Sequence, residues 1–256
     1  MRRLPLIIAL ALMLGVVSAG DARALELRFV HAVPGTGSAT LTADGKEVGG
    51  SPGFSGATGY ASVPDGRMKL ELRPAGGGRP LASADESLSG GRYTVIASRR
   101  DGRVDLRPYR EERPRERAAR MRAINAAGEL GEVTVKLGET ELGGVPPGGA
   151  TPYRGVDPGS YDLSVSRARG GGGALASRKG VTVSAGSSST AVVVGSGGEP
   201  TRIVLLPDGT AAPSAAPGTG LGGLSGGSSW AIDLAAALAA GALGGAAHTL
   251  TRRRGA

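Results

Sequence analysis

The sequence predicts an all-β protein: two tandem immunoglobulin-like antiparallel β-sandwich modules, with a signal helix before them and a transmembrane helix after them. Short stretches of alternating apolar and polar residues, bounded by Gly, Pro and Asp turns, predict the strands. A repeat with an offset of about 94 residues, which aligns Arg28 with Arg122, predicts the two copies. Aromatic residues make up 3% of the chain and apolar residues 40%, which is typical of packed β-structure with small side chains.

The first 24 residues have the three parts of a secretory signal peptide. Arg2 and Arg3 form the charged region, residues 6–17 form the apolar run, and Ala22-Arg23-Ala24 is a small-residue cleavage site. We expect cleavage after Ala24. A retained N-terminal anchor is the alternative, but the apolar run falls short of the roughly 20 residues that span a bilayer.

Residues 25–109 form the predicted first module. Asp44-Gly45 and Asp101-Gly102 predict type I′ hairpin turns, because both residue types can adopt a positive φ. Strands are predicted from the period-2 pattern near 26–31, 38–43, 58–63, 68–73, 80–85, 92–98 and 103–108.

A charged, exposed linker, 110–118, leads to the predicted second module, 119–207. The segment Leu-Arg-Phe-Val-His-Ala at 27–32 aligns with Met-Arg-Ala-Ile-Asn-Ala at 121–126, and Tyr60 aligns with Tyr153. Neither module contains a pattern that predicts a helix. Strands are predicted in the second module near 120–125, 132–137, 151–156, 161–166, 174–178, 180–184, 190–194 and 202–206.

The first copy resembles a module of the domain-of-unknown-function family 4397. The resemblance depends on Arg-Phe-Val-His-Ala-x-Pro at 28–34, Gly59-Tyr60 before a Pro-Asp-Gly turn, and Tyr-Thr-Val-Ile-Ala at 93–97. The second copy is similar but has Asn125 where His31 stands. The resemblance implies secreted bacterial β-sandwich modules, often in tandem, with no assigned activity. The C-terminal part is similar to actinobacterial members.

The C-terminal part of the sequence predicts a stalk and an anchor. A Gly/Pro/Ser-rich stalk, 208–229, precedes an Ala/Leu/Gly segment, 230–251, which is long enough to cross a bilayer as a helix. In the basic tail, 252–256, Arg252, Arg253 and Arg254 favour a cytoplasmic end. Because the segment also holds Asp233 and His248, an amphipathic or unstructured tail is the alternative.

Ala216-Pro217-Gly218-Thr219-Gly220 is similar to the sorting motif of sortase substrates, in which Leu-Pro-x-Thr-Gly precedes an apolar stretch and a basic tail. Pro217, Thr219 and Gly220 match that motif, whereas Ala216 replaces its Leu and about nine residues separate the motif from the apolar run. Two outcomes stay open: retention as a single-span membrane anchor, or sortase cleavage and attachment to the cell wall.

Composition and charge limit the chemistry. The absence of Cys excludes disulfides and thiol catalysis, and two His leave little basis for a metal site, so no metal or cofactor is predicted. The net charge of +8 comes from the two chain ends and the region around the linker. Since few aromatic residues are available to stack on bases, no nucleic-acid partner is expected.

The candidate site residues are few. His31 is the one His of the modules, there is no Gly-x-Ser-x-Gly elbow, and Asn125 replaces His31 in the second copy, so we predict backbone hydrogen bonding for His31 and no catalytic residue. Tyr60 and Tyr153, scarce aromatics next to Pro and Gly, are the candidate ligand surface. Packing in the core or at a sheet edge is the alternative for both.

The sequence therefore predicts a non-enzymatic protein on the extracytoplasmic face of the cell envelope, held by its C-terminal span or by the wall. Its two modules would bind an unidentified extracellular ligand or act as a structural spacer. The alternative is an extracytoplasmic polysaccharide-modifying accessory protein or hydrolase. A fainter similarity to the two-domain periplasmic accessory protein of alginate acetylation favours that alternative, although the C-terminal span departs from it.

Overall fold

The computed structural model describes residues 25–112, 114, 118–169, 173–195 and 198–210. Several predicted features therefore lie outside the described residues: the signal peptide with Ala24, the sorting motif with Pro217, Thr219 and Gly220, the segment 230–251, and the Arg252, Arg253 and Arg254 cluster. In the part of the chain that is described, no helix has the length and apolar character needed to cross a membrane.

The first module is made of eight strands in two sheets. One sheet has the order β4-β1-β7-β8 and the other the order β3-β2-β5-β6. The strands are β1 Leu25–Ala32, β2 Ala39–Ala43, β3 Lys46–Glu47, β4 Ala61–Val63, β5 Gly66–Pro74, β6 Ala82–Leu88, β7 Gly91–Arg100 and β8 Arg103–Arg110.

The second module repeats this arrangement. Its sheets have the orders β12-β9-β15-β16 and β11-β10-β13-β14, and a short 3-10 turn covers Gly128–Leu130. The strands are β9 Ala119–Asn125, β10 Val133–Leu137, β11 Thr140–Val145, β12 Arg154–Val156, β13 Gly159–Arg167, β14 Ala176–Val183, β15 Ser187–Val194 and β16 Arg202–Thr210.

The predicted all-β sandwich architecture is confirmed, but the strand order is not that of an immunoglobulin domain. In that fold the first strand pairs with the second, whereas here β1 runs antiparallel to β4 and parallel to β7. The sheets that contain β1 and β9 are therefore mixed, whereas the other two sheets are antiparallel. Alternation along a strand shows which face is buried, but it does not specify the neighbouring strand.

The turn chemistry agrees with the sequence pattern. Asp44 and Gly45 have φ values of 49° and 79°, and Asp101 and Gly102 have values of 51° and 75°, as a type I′ turn requires. The sequence analysis missed β3 and β11. It also divided β14 into two strands at Gly180, a residue with a positive φ beside an irregularity in the β13–β14 register.

Each pair of sheets encloses its own apolar core. Phe29, Leu41 and Leu72 lie between the sheets of the first module, and Leu163 and Val165 lie between those of the second. The two sheets that contain β5 and β13 are called the outer sheets. Buried residues alternate with more exposed ones along these strands, so each outer sheet keeps a solvated face.

A third apolar cluster joins the two modules. It contains Val30 and Ile96 from the first module, and Ile124, Val192 and Leu206 from the second. These side chains lie on the faces of β1, β7, β9, β15 and β16 that point away from the modules' own cores. The two sheets that contain β1 and β9, called the inner sheets, thus pack on each other. The four sheets of the two modules form four layers.

Candidate functional site

Two equivalent arginines lie at the junction between the inner sheets, next to the third apolar cluster. Arg28 pairs in register with Thr94 of β7, and Arg122 pairs with Thr190 of β15. Arg28 Nε donates to Thr94 Oγ1 at 2.8 Å, and Arg122 Nε donates to Thr190 Oγ1 at 2.9 Å. Both arginines are at least 95% buried, so their charges need partners inside the protein.

Arg28 has two carboxylate partners, one from each module. Its Nη2 lies 3.1 Å from Glu111 Oε1 and also forms an ion pair with Asp208. Its Nη1 donates to the carbonyl of Pro207 at 2.7 Å. Since Pro207 and Asp208 belong to β16, this single side chain connects the modules.

The two tyrosines predicted as a ligand surface lie at the same junction. Tyr60 Oη donates to Glu111 Oε2, and Tyr153 Oη donates to Asp208 Oδ2, both at 2.6 Å. The guanidinium of Arg28 lies 5.0 Å from the Tyr60 ring centroid. Tyr153 is buried and Tyr60 is half-buried. Both side chains are thus engaged within the protein, in line with the alternative of packing at a sheet edge.

Arg122 is placed differently from Arg28, although it occupies the equivalent position. Its Nη1 donates to the carbonyl of Arg110 at 2.7 Å, and its guanidinium lies 4.6 Å from the Tyr153 ring centroid. Within the described residues it forms no ion pair, and its Nη2 and the hydroxyl of Ser188 have no hydrogen-bond partner.

Burial shifts the pKa values of the groups at the junction. It raises the pKa of Tyr60 and of Tyr153 far above their usual value, so both hydroxyls remain donors. Burial also raises the pKa of Glu111, against the opposing effect of the Arg28 charge. Glu111 is only 7% exposed, which contradicts the predicted exposure of the linker 110–118 at that residue.

His31 makes the backbone hydrogen bonds that the sequence predicts. Its Nδ1 accepts from the Val33 amide at 3.2 Å, and its Nε2 donates to the Gly37 carbonyl at 2.8 Å. Asn125 makes equivalent contacts: its Oδ1 accepts from Ala127 N at 3.0 Å, and its Nδ2 donates to Gly131 O at 2.9 Å. Burial lowers the pKa of His31, which favours the neutral imidazole. The hydrogen bonds of this ring hold the loop that follows β1.

The junction carboxylates are occupied by donors from the protein itself. Glu111 accepts from Tyr60, from Thr94 and from Arg28, and Asp208 accepts from Tyr153, from Thr190 and from Arg28. Each of these two carboxylates therefore has three side-chain donors within the protein. Among the described residues, no group of three or more acidic or His side chains is placed to hold a metal ion.

The sequence analysis aligned Arg28 with Arg122 but assigned them no role. A cation between two apolar residues of a predicted strand, in both copies, is the signal that indicates a buried charge. Glu111 and Asp208 gave no such signal, because Glu111 follows β8 and Asp208 follows the predicted strand 202–206, at positions where an exposed acid is common.

Two stretches of the chain, residues 25–136 and 132–218, match the family described as Domain of unknown function (DUF4397). No curated protein matches the chain. Among solved structures, the chain is similar to a crystal structure of CBMbc (family CBM26) from Eubacterium rectale Amy13K in complex with maltoheptaose. The identity is 18%, the match covers 73% of this chain and 98% of that chain, and the TM-score is 0.21. That TM-score is too low to support an argument about fold or ligand.

Proposed function

The chain belongs to the DUF4397 family, and from this premise we propose that it is a non-enzymatic cell-envelope protein whose two modules act as one rigid extracytoplasmic spacer. The observation that carries the proposal is the junction, where the inner sheets share a buried apolar cluster and an ion pair that links Arg28 to Asp208. A flexible pair of modules would not bury charged side chains between them.

The state of the polar side chains supports a structural role. His31 uses both ring nitrogens to hold a loop, and Glu111 and Asp208 are saturated by donors. General acid–base catalysis needs a group that can exchange a proton with a substrate. These three groups face other protein groups instead.

The envelope location in this proposal depends on the sequence at the two chain ends. Export by residues 1–24 followed by a stop at residues 230–251, with Arg252, Arg253 and Arg254 behind it, leaves residues 25–229 outside. Removing residues 230–256 should release the protein into the medium. Continued presence in the envelope fraction would contradict the anchor. Thr219→Ala should abolish wall-linked material only if a sortase acts.

The rigidity of the junction between the modules can be measured with pairs of spin labels. The chain has no native Cys, so labels attach only at the introduced positions. Arg67→Cys and Thr182→Cys place one label on the exposed face of each outer sheet. A full-length chain carrying both should give a single narrow distance distribution, as narrow as that of a control pair within one module, Arg67→Cys and Glu47→Cys. A broad distribution between the modules would overturn the spacer proposal.

A junction variant provides the positive control for the spin-label measurement. Ile96→Asp places an unpaired charge in the shared apolar cluster without changing either module's own core. It should broaden the distance distribution between the modules and leave the distribution within the first module unchanged.

A further inference from the structure

Among the described residues, each outer sheet has at one edge a strand that pairs on one side alone. β6 pairs only with β5, and β14 pairs only with β13, in the described part of the chain. The two strands occupy equivalent places in the two modules. The open side of an edge strand presents unpaired N–H and C=O groups that can accept a further strand.

The two edges carry opposite charges. The β6 sequence Ala-Ser-Ala-Asp-Glu-Ser-Leu holds Asp85 and Glu86 and no base, whereas the β14 sequence Ala-Ser-Arg-Lys-Gly-Val-Thr-Val holds Arg178 and Lys179 and no acid. We propose that β6 of one copy of this chain pairs with β14 of a second copy, so that the protein assembles head to tail. This inference does not depend on the proposed spacer function.

In an antiparallel pair of β6 and β14, each acidic side chain can lie on the same face of the sheet as a basic one. Asp85 lies opposite the exposed Lys69, and so on the outer face, whereas Glu86 lies opposite the buried Met68. On β14, Arg178 lies opposite the buried Leu163, and Lys179 follows it along the strand. An antiparallel register that sets Asp85 against Lys179 therefore also sets Glu86 against Arg178.

The residues next to the charges leave room for strand pairing. In that register, Ser87 faces Ser177, and Ala84 faces Gly180 at the irregularity in the β13–β14 register, so no bulky side chain meets another across the new pair. The result is a continuous sheet of eight strands that crosses the boundary between two copies.

Charges on edge strands ordinarily prevent pairing. Here they prevent the pairing of like edges and allow the pairing of β6 with β14. Two β6 edges repel each other, as do two β14 edges, so symmetric dimers are disfavoured, while unlike edges attract. Each head-to-tail contact leaves one free β6 and one free β14 at the ends of the assembly. Such a contact does not close and continues into a linear chain.

The test is sedimentation velocity of the purified full-length chain over a range of concentrations and salt. Wild type should associate, and less so in high salt, because exposed charges are screened. The charge-neutralising variants Asp85→Asn with Glu86→Gln, and Arg178→Gln with Lys179→Gln, should each weaken association roughly tenfold. Association that strengthens on neutralisation would overturn the proposal, because the charges would then protect the edges.

Charge reversal gives the decisive comparison. Asp85→Lys with Glu86→Lys makes both edges basic, and Arg178→Glu with Lys179→Glu makes both acidic, so each variant alone should be monomeric. An equal mixture of the two should assemble again. A mixture that stays monomeric would refute the edge pairing.

A control variant separates edge pairing from net charge and from other surfaces. Arg67→Glu with Lys136→Glu changes the net charge as much as Arg178→Glu with Lys179→Glu does, at exposed positions of strands inside the outer sheets. It should associate like wild type. If wild type is monomeric, or if all variants associate equally, β6 and β14 do not form the contact.

Discussion

Arg28 and Arg122 occupy equivalent positions of two copies of one module, yet their electrostatic surroundings differ. Both donate Nε to a Thr on the parallel neighbouring strand. Arg28 then binds two carboxylates, Glu111 and Asp208, whereas Arg122 binds a backbone carbonyl and stacks over Tyr153. The repeat preserves the contacts within a module, and the junction divides the carboxylates unequally between the arginines.

The unequal pairing of Arg28 and Arg122 with carboxylates affects the cost of removing each arginine. Removing one partner of a buried ion pair is costly, because the remaining charge stays buried without compensation. Loss of Arg28 would leave two carboxylates in this state, whereas among the described residues no carboxylate is paired with Arg122. Equivalent substitutions in the two modules should therefore have unequal effects.

The largest difference is expected between Arg28→Met and Arg122→Met. Arg28→Met should lower the free energy of unfolding by about 3–5 kcal/mol, because Glu111 and Asp208 lose their cation. Arg122→Met should lower it by about 1–2 kcal/mol, through lost hydrogen bonds and the cation–π contact. Urea unfolding at pH 7 measures both. Equal losses would show that the carboxylates do not depend on Arg28.

The pH dependence of stability provides a second test of this comparison. In Arg28→Met, a lower pH should recover part of the lost stability as Glu111, whose pKa burial already raises, takes up a proton. Arg122→Met, which leaves the Arg28 ion pairs intact, should show no such recovery relative to wild type.

The tyrosines provide a comparison of intermediate size. Tyr153→Phe removes a donor to the buried Asp208 carboxylate and should cost about 1.5–3 kcal/mol of unfolding free energy. Tyr60→Phe should cost less than about 1 kcal/mol, because Tyr60 is only half-buried and water can reach the space that its hydroxyl leaves. Thermal and urea unfolding of both variants check this order. A reversed order would show that burial does not set the cost.

The smallest difference is expected at His31, where His31→Asn gives the first module the residue of the second. At pH 7 this change should alter stability by less than about 1 kcal/mol, since the amide of Asn125 makes the equivalent backbone contacts. The two proteins should differ mainly in how their stability depends on pH.

The sign of that dependence follows from the lowered pKa of His31. The unfolded chain takes up a proton near the usual value of 6.5, and the folded protein does so only at lower pH. Stability from the neutral imidazole is therefore complete above 6.5 and is lost as the pH falls toward the lowered pKa. Wild type should lose stability relative to His31→Asn across this interval. Parallel curves would contradict the structural role of the neutral ring.

Part of the fold could be predicted because it depends on residues close together in the chain. The type I′ turn at Asp44-Gly45 and the alternating Met68, Leu70 and Leu72 of β5 are local patterns. The role of His31 could be predicted from its replacement by Asn125, since both side chains can accept one backbone hydrogen bond and donate another. These inferences need no knowledge of which strands are neighbours.

The strand order and the junction could not be predicted in this way. Val30, Ile96 and Ile124 have the same apolar character as core residues, and only the stacking of two sheets shows that they bind the other module. Tyr60 and Tyr153 were candidates for a ligand surface because they are scarce aromatics next to Pro and Gly, and the carboxylates that engage them lie 51 and 55 residues away in the chain.

The sequence by itself thus determined the β-class, the two copies, most of the strands and their turns, because backbone conformation and amphipathic alternation depend on neighbouring residues. Only the tertiary structure decided that β1 runs parallel to β7, that the inner sheets face each other, and that Arg28 rather than Arg122 takes both carboxylates. The physical reason is the range of the interactions. A buried charge is stabilised by whichever opposite charge the packed layers bring within a few ångströms, and the order of residues along the chain does not specify that distance.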